Sequence, residues 1–276
     1  MTTEIRRLTE EEAKTLIGWA KNEGWNPGLF DAERFFAFDP EGFIGCTVDG
    51  ELAAAISAIS YTDTFGFIGL YICRPDMRGK GLGKRVWDAG MARLAGHVIG
   101  LDGVPEQQAN YATMGFMPTY RTWRWSGRLT SAPHMNTMDL SADMIPELIA
   151  FDRHFFPADR KGFLLEWIKA PHVTVVVRSE GQISAYGVLR RCVEGFKIGP
   201  LFADRLEDAI AILHRLATEA GDAVIHIDVP EPATDFAAYL DSCGMSRGFV
   251  TARMYKGTPP TISTEGLYGV TSLELG

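Results

Sequence analysis

The sequence predicts an α/β protein built from two copies of one domain. The length of 276 residues makes two domains a better expectation than one. Runs typical of strands and helices alternate along the chain, and the second half repeats their order about 130 positions later. The hydrophobic share of 46% is ordinary for a soluble globular protein, so a packed core is expected.

The repeat is visible in short matching stretches. The run IGL at 68–70 is followed 130 positions later by IGP at 198–200, and IGLD at 99–102 is followed 126 positions later by IHID at 225–228. Residues 126–137 contain glycine, proline and small polar residues, which favours a linker. We therefore predict an N-terminal domain at 1–128 and a C-terminal domain at 135–276.

The elements of each domain follow from hydrophobic spacing. In the first domain we predict a strand at 67–73, a helix at 82–95, a strand at 97–101, a short polar helix that leads into the run YATMGF at 111–116, and a strand at 118–125. In the second domain the run 206–220 has apolar residues at three-and-four spacing, which predicts a helix with one buried face.

The run RGKGLG at 78–83 lies between a predicted strand and a predicted helix. Its three glycines allow the backbone to curl so that several N–H groups point into one concavity, and the following helix directs the positive end of its dipole there. Arg78 and Lys80 add positive charge to the loop. This pattern predicts an anion site that would fit a pyrophosphate.

Two other phosphate-binding loops are excluded by their spacing. The nucleoside triphosphate loop requires Gly, four residues and then Gly-Lys-Ser/Thr, but Lys84 is followed by Arg85 and no glycine lies five residues before Gly83. The dinucleotide pattern G-x-G-x-x-G, started at Gly79 and Gly81, would need a glycine at the position of Lys84.

The remaining pattern, R-x-x-G-x-G behind a strand, resembles the pyrophosphate loop of the GNAT N-acetyltransferase superfamily, which holds coenzyme A. A second signature of that superfamily, Tyr, three residues and then Gly-Phe, stands at 111–116. The chain is similar over nearly its whole length to bacterial tandem GNAT proteins with a degenerate acetyltransferase-like C-terminal domain. The stretches that carry this similarity are NPGL at 26–29, GFIGLYI at 66–72, IGLDGV at 99–104, QQANY at 107–111, KIGPLFAD at 197–204 and TARMY at 251–255.

The resemblance implies a fold, a cosubstrate and a set of site residues. Each of the two tandem GNAT-like domains should contain a mixed, mostly antiparallel central sheet flanked by helices (α/β, α+β). Acetyl-CoA is the expected cosubstrate, and main-chain N–H groups near residues 70–72 would bind its pantetheine arm and hold the oxyanion. The predicted coenzyme A-binding residues are Leu70, Tyr71, Ile72, Arg78, Gly79, Lys80, Gly81, Leu82, Gly83 and Asn110.

The resemblance also makes Tyr111 the candidate general acid that protonates the departing thiolate. A thiol has a pKa near 8.5 and tyrosine has one near 10, so this transfer is slightly uphill and needs a modestly tuned phenol. A primary amine, with a pKa near 10.4, is mostly protonated at pH 7, so some group must also take the acceptor's proton.

The sequence offers several candidates for the general base that takes the acceptor's proton. Many GNAT enzymes carry a glutamate on the strand before the loop, but the corresponding residue here is Gly69. The carboxylates nearby are Asp63, Asp102 and Glu106, and a chain of water molecules is an equal alternative. We prefer Asp102, because it ends a strand beside the expected thioester position, although a role as a helix N-cap or turn residue fits as well.

The second half departs from the pattern at the residues that would bind the cosubstrate. The run GPLFAD at 199–204 has no series of glycines, and Asp204 stands where phosphate would lie. Leu240 occupies the place of Tyr111, while Tyr239 is one residue off and would face about 100° away on a helix. We predict that the second domain does not bind coenzyme A and shapes the acceptor cleft. The resemblance also places residues 25–31 in the region that shapes the acceptor pocket, and their aromatic side chains either line that pocket or belong to the core.

Composition restricts the partners. The formal net charge of −8 disfavours nucleic acid. The resemblance, together with the acidic charge, suggests a small-molecule amine as the acceptor, while transfer to a protein N-terminus or lysine stays open. Four cysteines without a C-x-x-C pair and six histidines without ligand spacing predict neither a disulfide framework nor a metal site. No apolar run approaches the roughly 20 residues that span a bilayer, so we expect no membrane partner and a cytoplasmic location.

The combined expectation is an acetyl-CoA-dependent N-acetyltransferase in which the N-terminal domain catalyses direct attack by an amine in a ternary complex. Two alternatives stay open at this stage. The chain could be a non-catalytic acyl-CoA-binding module with a regulatory or scaffolding role, which Gly69 favours, or the second domain could bind a separate ligand at 199–204. The acceptor, the length of the acyl group and the oligomeric state are not fixed by the sequence.

Overall fold

The structure, a computed structural model, describes residues 2–130 and 136–276. The second half repeats the order of the first half and then adds one short strand, which confirms the predicted tandem repeat. The first half contains β1 (Thr3–Arg7), α1 (Glu10–Asn22), α2 (Asp31–Phe38), β2 (Phe43–Val48), β3 (Glu51–Thr62), β4 (Phe65–Cys73), α3 (Leu82–Arg93), β5 (Val98–Gly103), α4 (Pro105–Thr113) and β6 (Met117–Gly127). The second half contains β7 (Thr137–Asp139), α5 (Ile145–Asp152), α6 (Lys161–Trp167), β8 (Val173–Ser179), β9 (Gln182–Arg191), β10 (Phe196–Ala203), α7 (Leu206–Ala220), β11 (Ile225–Pro230), α8 (Thr234–Ser242), β12 (Ser246–Lys256) and β13 (Leu267–Gly269).

Local sequence explains where several helices begin. Before α1, the Thr9 hydroxyl accepts the Glu12 N–H at 3.3 Å and the Glu12 carboxylate accepts the Thr9 N–H at 2.9 Å, so both N–H groups are satisfied by a capping box. Helix α4 begins at Pro105, whose fixed φ suits the first helical turn. The helix predicted at 206–220 is α7, with a buried face of apolar residues.

The strands of the described residues form one continuous sheet rather than two separate sheets. Its order is β1-β2-β3-β4-β5-β12-β6-β11-β10-β9-β8-β7, with β13 added to β10. Most neighbouring pairs are antiparallel, and helices pack on the sheet, as the predicted fold class requires.

The two halves exchange their sixth strands at the centre of this sheet. Strand β12 of the second half pairs with β5, from Ala252 opposite Gly103 to Lys256 opposite Ile99. Strand β6 of the first half pairs with β11 and also with β12. The sequence analysis did not predict this exchange, because strand partners leave no mark on the hydrophobic spacing of either strand.

Among the described strands, only two neighbouring pairs in the sheet's main path are parallel, and each opens into a gap. Strands β4 and β5 pair from Phe65/Val98 to Ile68/Leu101, and β10 and β11 pair from Phe196/Ile225 to Ile198/Ile227. Beyond these last pairs the strands separate, and we call the openings the first gap and the second gap. In the second gap, β13 pairs with β10 at Leu201 and Phe202.

The chain end runs from the second gap to the first. In this C-terminal tail (residues 270–276), the Val270 N–H donates to the Asp228 carbonyl at 2.9 Å, and Tyr61 Oη donates to the Leu275 carbonyl at 2.8 Å. The tail passes so close to Gly69 that an added Cβ would lie 1.9 Å from the Glu274 carbonyl oxygen. Gly199, the counterpart of Gly69, meets the Val270 and Thr271 carbonyls in the same way, at 2.6 Å.

Two equivalent buried ion pairs join the exchanged strands to their neighbours. Asp102 on β5 pairs with Arg253 on β12 through contacts of 2.8 and 2.9 Å, and Asp228 on β11 pairs with Arg124 on β6 through contacts of 2.7 and 2.9 Å. In both pairs the two residues stand directly opposite each other in the strand register. Each half therefore supplies a carboxylate to a guanidinium of the other half.

Part of the predicted linker at 126–137 lies outside the described residues, since these omit 131–135. The domain boundaries at 128 and 135 accordingly stay predictions. Within the described chain, no helix combines the length and the apolar character that crossing a membrane would require.

Replacing Gly69 by alanine tests the close passage of the tail. The new Cβ would overlap the backbone of Glu274, and overpacking of this kind costs about 1–3 kcal/mol. We expect Gly69→Ala to lower the free energy of unfolding by that amount in urea titrations. The control is Gly18→Ala in α1, where nothing lies within 4 Å and alanine should stabilise the helix by up to about 1 kcal/mol. Equal stability of both variants would contradict the described path of the tail.

Candidate active site

The first gap opens into a cavity of about 690 Å³. One wall is the outer end of β4, from Ile68 to Cys73, and the opposite wall is the end of β5 with the start of α4. The second half closes the cavity with residues of β12 and of the tail, among them Phe249, Thr251 and Glu274. The cavity is thus assembled from both halves.

Strand β4 bulges where it borders the cavity. Against β3, Ile72 stands opposite Ala55 and Gly69 stands opposite Ser57, so two residues of β4 face one residue of β3. Leu70 has a φ of 47°, which is strained for a leucine. The pairing with β5 ends at Ile68, so the main chain of the predicted residues Leu70, Tyr71 and Ile72 borders the gap.

The glycine loop adopts the curled backbone that its sequence predicts. Gly79 and Gly81 have φ values of 76° and 77°, and a Cβ on either would meet nothing within 4 Å. Conformation rather than crowding therefore requires glycine at these two positions. Gly81 is the N-cap of α3 and has no side-chain cap, so the first N–H groups of this helix are available to an anion.

The charged residues of the loop are exposed, whereas Leu82 is buried and anchors the start of α3. Arg78 donates from Nε to the Cys73 carbonyl at 3.0 Å and forms an ion pair with Glu23. Among the described residues, the Lys80 ammonium makes one hydrogen bond, to the Met77 sulfur at 3.3 Å. An anion at the loop would gain two cationic side chains, one of them held against the mouth of the cavity.

Tyr111 lies on α4 and borders the same cavity. Its ring stacks on Trp87 at 5.4 Å and meets Phe116 edge-on at 6.3 Å, which fixes the direction of the phenol. Burial raises the pKa of Tyr111, contrary to the modest tuning that we expected from the sequence. The phenol stays protonated at neutral pH, and a thiolate in the same poorly solvated site would also become more basic.

Asn110 lies on the exposed face of α4, where its amide donates to Gln107 at 3.3 Å. The residues that line the cavity include Gln107 and Tyr111 but not Asn110. Its predicted contact with coenzyme A stays a prediction.

The three carboxylates considered as general bases lie in different environments. Asp63 is exposed in the turn before β4, at the end of that strand away from the first gap. Glu106 is exposed on the first turn of α4 at the cavity. The Asp102 carboxylate has no exposed surface and holds Arg253 through both oxygens, a geometry that favours a structural role.

Glu274 of the tail, a carboxylate that the sequence analysis missed, also lines this cavity. It lies more than 160 positions away from both Tyr111 and Asp102 in the chain, and no motif or periodic spacing marks it. Among the described residues, no group of three or more His, Cys, Asp or Glu side chains is arranged to hold a metal ion.

Trp25 is the part of segment 25–31 that reaches the cavity. Its carbonyl accepts hydrogen bonds from Arg124 at 2.9 Å and from Lys197 at 3.1 Å. Asp31 is instead buried against the second half, where it accepts the Gly28 N–H at 2.7 Å and lies 3.4 Å from Arg190. The segment therefore lines the pocket at one end and belongs to the core at the other.

Comparison with known proteins gives consistent matches for both halves. Residues 5–116 match a sequence profile described as the acetyltransferase (GNAT) family, and residues 148–269 match one described as an acetyltransferase (GNAT) domain. Over 273 residues the chain is 34% identical to holothin acyltransferase of Pseudoalteromonas sp. (strain SANK 73390). The alignment covers 96% of this chain and 92% of that protein.

Solved structures share the fold. A putative acetyltransferase from Pyrococcus horikoshii has a TM-score of 0.84 at 19% identity, with coverage of 99% of this chain and 96% of that chain. A tandem GNAT protein from the clavulanic acid biosynthesis pathway has a TM-score of 0.61 at 10% identity, with coverage of 94% and 100%.

The variant Asp102→Asn separates a structural role of Asp102 from a catalytic one. Loss of the carboxylate charge would leave the Arg253 guanidinium buried without a counter-charge, which costs about 3–5 kcal/mol. We expect this loss in urea unfolding, and a similar loss for the matched control Asp228→Asn in the equivalent pair. A variant that keeps its stability but loses acyl transfer would instead support Asp102 as the base.

Proposed function

The chain belongs to the GNAT acetyltransferase family and carries two GNAT domains in tandem, and from this membership we propose that it is an acetyl-CoA-dependent N-acetyltransferase. The membership confirms the resemblance found in the sequence and supports acyl transfer in general. The proposal adds the acetyl group, an amine acceptor and catalysis by the first half.

The observation that carries the proposal is the convergence of three features at the first gap. Strand β4 presents unpaired main chain and Tyr111 presents a phenol at one cavity of about 690 Å³, and the glycine loop, whose Arg78 borders that cavity, presents uncapped N–H groups at the start of α3. A pyrophosphate at the loop would direct the pantetheine arm along β4, with the thioester near Tyr111. These are the positions that acyl transfer from coenzyme A requires.

Among its described residues, the second half supports no equivalent site. Strand β13 pairs with β10 in the second gap, where a second pantetheine arm would lie. The surface beyond it is lined by four carboxylates, whose negative charge would repel a pyrophosphate, and by Arg205, which is paired with Asp208; the carboxylates are Asp204, Glu207, Asp235 and Glu265. We therefore assign cosubstrate binding to the first half alone.

The proposed reaction is a direct transfer. The acceptor amine attacks the thioester carbonyl, the oxyanion is held by main-chain N–H groups of the β4 bulge, and the C–S bond breaks as Tyr111 protonates the sulfur. Acceptor and cosubstrate would share the cavity, so the second-half residues Phe249 and Thr251 would contact the acceptor.

Charge favours an acceptor that is neutral or cationic. Arg78 and Arg124 border the cavity but are paired with Glu23 and Asp228, whereas Glu106 and Glu274 add negative charge. We propose a small-molecule amine. Because the 34% identical relative is named for holothin, this compound belongs in the panel of acceptors to be tested.

Reversing the charge of the loop tests cosubstrate binding. A hydrogen bond to a charged group contributes about 1.5–3 kcal/mol, so we expect Arg78→Glu to raise the KM for acetyl-CoA about 10- to 100-fold. The measurement is thiol release from acetyl-CoA with a panel of amines, amino acids and amino sugars.

The matched control is Arg205→Glu, which reverses an exposed arginine at the start of α7 in the second half. It should leave the KM for acetyl-CoA unchanged. A larger effect at Arg205 than at Arg78 would place the cosubstrate in the second half and overturn the assignment. Binding of acetyl-CoA without thiol release for any acceptor, including protein acceptors, would favour the non-catalytic binding module.

Removing the phenol of Tyr111 tests the general acid. We expect Tyr111→Phe to lower kcat about 10²- to 10³-fold, since general acids contribute factors of this size, with little change in the KM for acetyl-CoA. Tyr239→Phe in the second half is the control and should keep full kcat. If the two variants were equally active, Tyr111 would serve only as packing.

A further inference from the structure

Among the described residues, four carboxylates line the cavity at the first gap, and they differ in their ion-pair partners and in their exposure to solvent. Glu23 is paired with Arg78, and Asp102 is held by Arg253 through both oxygens. Glu106 is exposed to solvent on α4. Glu274 is 97% buried, and its Oε2 finds no hydrogen-bond donor among the described residues.

A buried carboxylate oxygen without a donor is costly, because the group has given up hydration and gained nothing at that atom. At Glu274 the oxygen belongs to a residue that lines a cavity large enough for a ligand. A donor on the ligand would remove this cost. An amine that carries at least one N–H is such a donor.

Glu274 is held in place by its neighbours in the tail. The Leu275 N–H donates to the Ser272 hydroxyl at 3.0 Å, and the Gly276 N–H donates to the Ser272 carbonyl at 3.1 Å. The Leu275 carbonyl accepts from Tyr61, and the Glu274 main chain packs against Gly69, where the lack of a side chain leaves room for it. The main chain that carries the carboxylate is thus fixed, and the side chain extends from it into a buried position.

Glu274 lies near three basic side chains and near the carboxylate of Asp102. It interacts electrostatically with Arg124 on β6, Arg190 on β9 and Lys197 on β10. The two arginines already have carboxylate partners, in Asp228 and Asp31, but the Lys197 ammonium bonds only to the Trp25 carbonyl among the described residues.

We propose that Glu274 is a catalytic residue of the active site at the first gap. It binds the acceptor nitrogen through its free oxygen and takes the proton that this nitrogen loses. The inference rests on the function proposed above and adds the base that the sequence did not supply. It also gives the second half a role in catalysis, because the tail that carries Glu274 follows β13.

The proposed step conserves protons. A neutral amine attacks the carbonyl carbon, and the new C–N bond makes the nitrogen positive and acidic. One N–H proton passes to the Glu274 carboxylate and then to water, while the C–S bond breaks and Tyr111 gives a proton to the sulfur. Tyr111 regains its proton from water, so the products are the amide and free coenzyme A, with no net change in protons. A carboxylate suits this step because it acts after the nitrogen has become acidic.

The first test uses Glu274→Gln in the full-length protein. Glutamine keeps the size of the side chain but cannot take a proton, so we expect kcat/KM for the acceptor to fall about 10²- to 10³-fold. The dissociation constant for acetyl-CoA, measured by calorimetry, should stay the same, which shows that the variant is folded and binds its cosubstrate. The control is Glu265→Gln, an exposed carboxylate just before β13, which should keep full activity.

The second test distinguishes a base from a merely structural carboxylate. Glu274→Ala should be equally slow, and added formate should restore its turnover by about tenfold or more, because a small carboxylate can enter the space that the side chain vacates. Formate should have no such effect on the parent protein or on Tyr111→Phe.

The outcomes separate the two proposals. If the parent protein transfers acetyl groups and Glu274→Gln does so within threefold of it, the role of Glu274 is wrong and the proposed function stands. Loss of activity in Glu106→Gln with full activity in Glu274→Gln would move the base to α4. If the parent protein binds no acetyl-CoA, the proposed function itself is wrong and this inference falls with it.

Discussion

Two reciprocal buried ion pairs hold the halves of this protein in one sheet, and the candidate active site depends on them. Asp102 pairs with Arg253 and Asp228 pairs with Arg124, each across neighbouring strands that come from different halves. A charge left alone in such an interior costs several kcal/mol. A shift of register by one residue would separate each carboxylate from its guanidinium, so the pairs also fix the alignment of the exchanged strands.

The surroundings of the two pairs differ although their geometry is equivalent. Burial acts to raise the pKa of both aspartates. At Asp228 the attraction of Arg124, supported by Lys197 and Arg190, overcomes burial and lowers the pKa to about 2. At Asp102 burial dominates over Arg253, and the pKa is raised. The excess of positive charge on the side of Asp228 is where the Glu274 carboxylate also lies.

The two gaps in the sheet begin from the same pattern and are then used differently. Each follows a short parallel pairing, and each has a glycine that allows the tail to pass, Gly69 in one and Gly199 in the other. The first gap stays open beside a glycine loop and the start of α3, whereas β13 lies in the second. The same chain end that fills the second gap completes the wall of the first, so neither half forms this cavity alone.

The sequence by itself determined the family, the repeat, the curled loop at Gly79 and Gly81, and the position of Tyr111, because each depends on residues close together in the chain. Local spacing and backbone preference are enough to specify such features. Only the tertiary structure decided the strand exchange, the pairing of Asp102 with Arg253, and the arrival of Glu274 at the cavity. These depend on which distant segments meet, and the physical reason is that the ion pairs and the close backbone contact at Gly69 form only when both halves fold together.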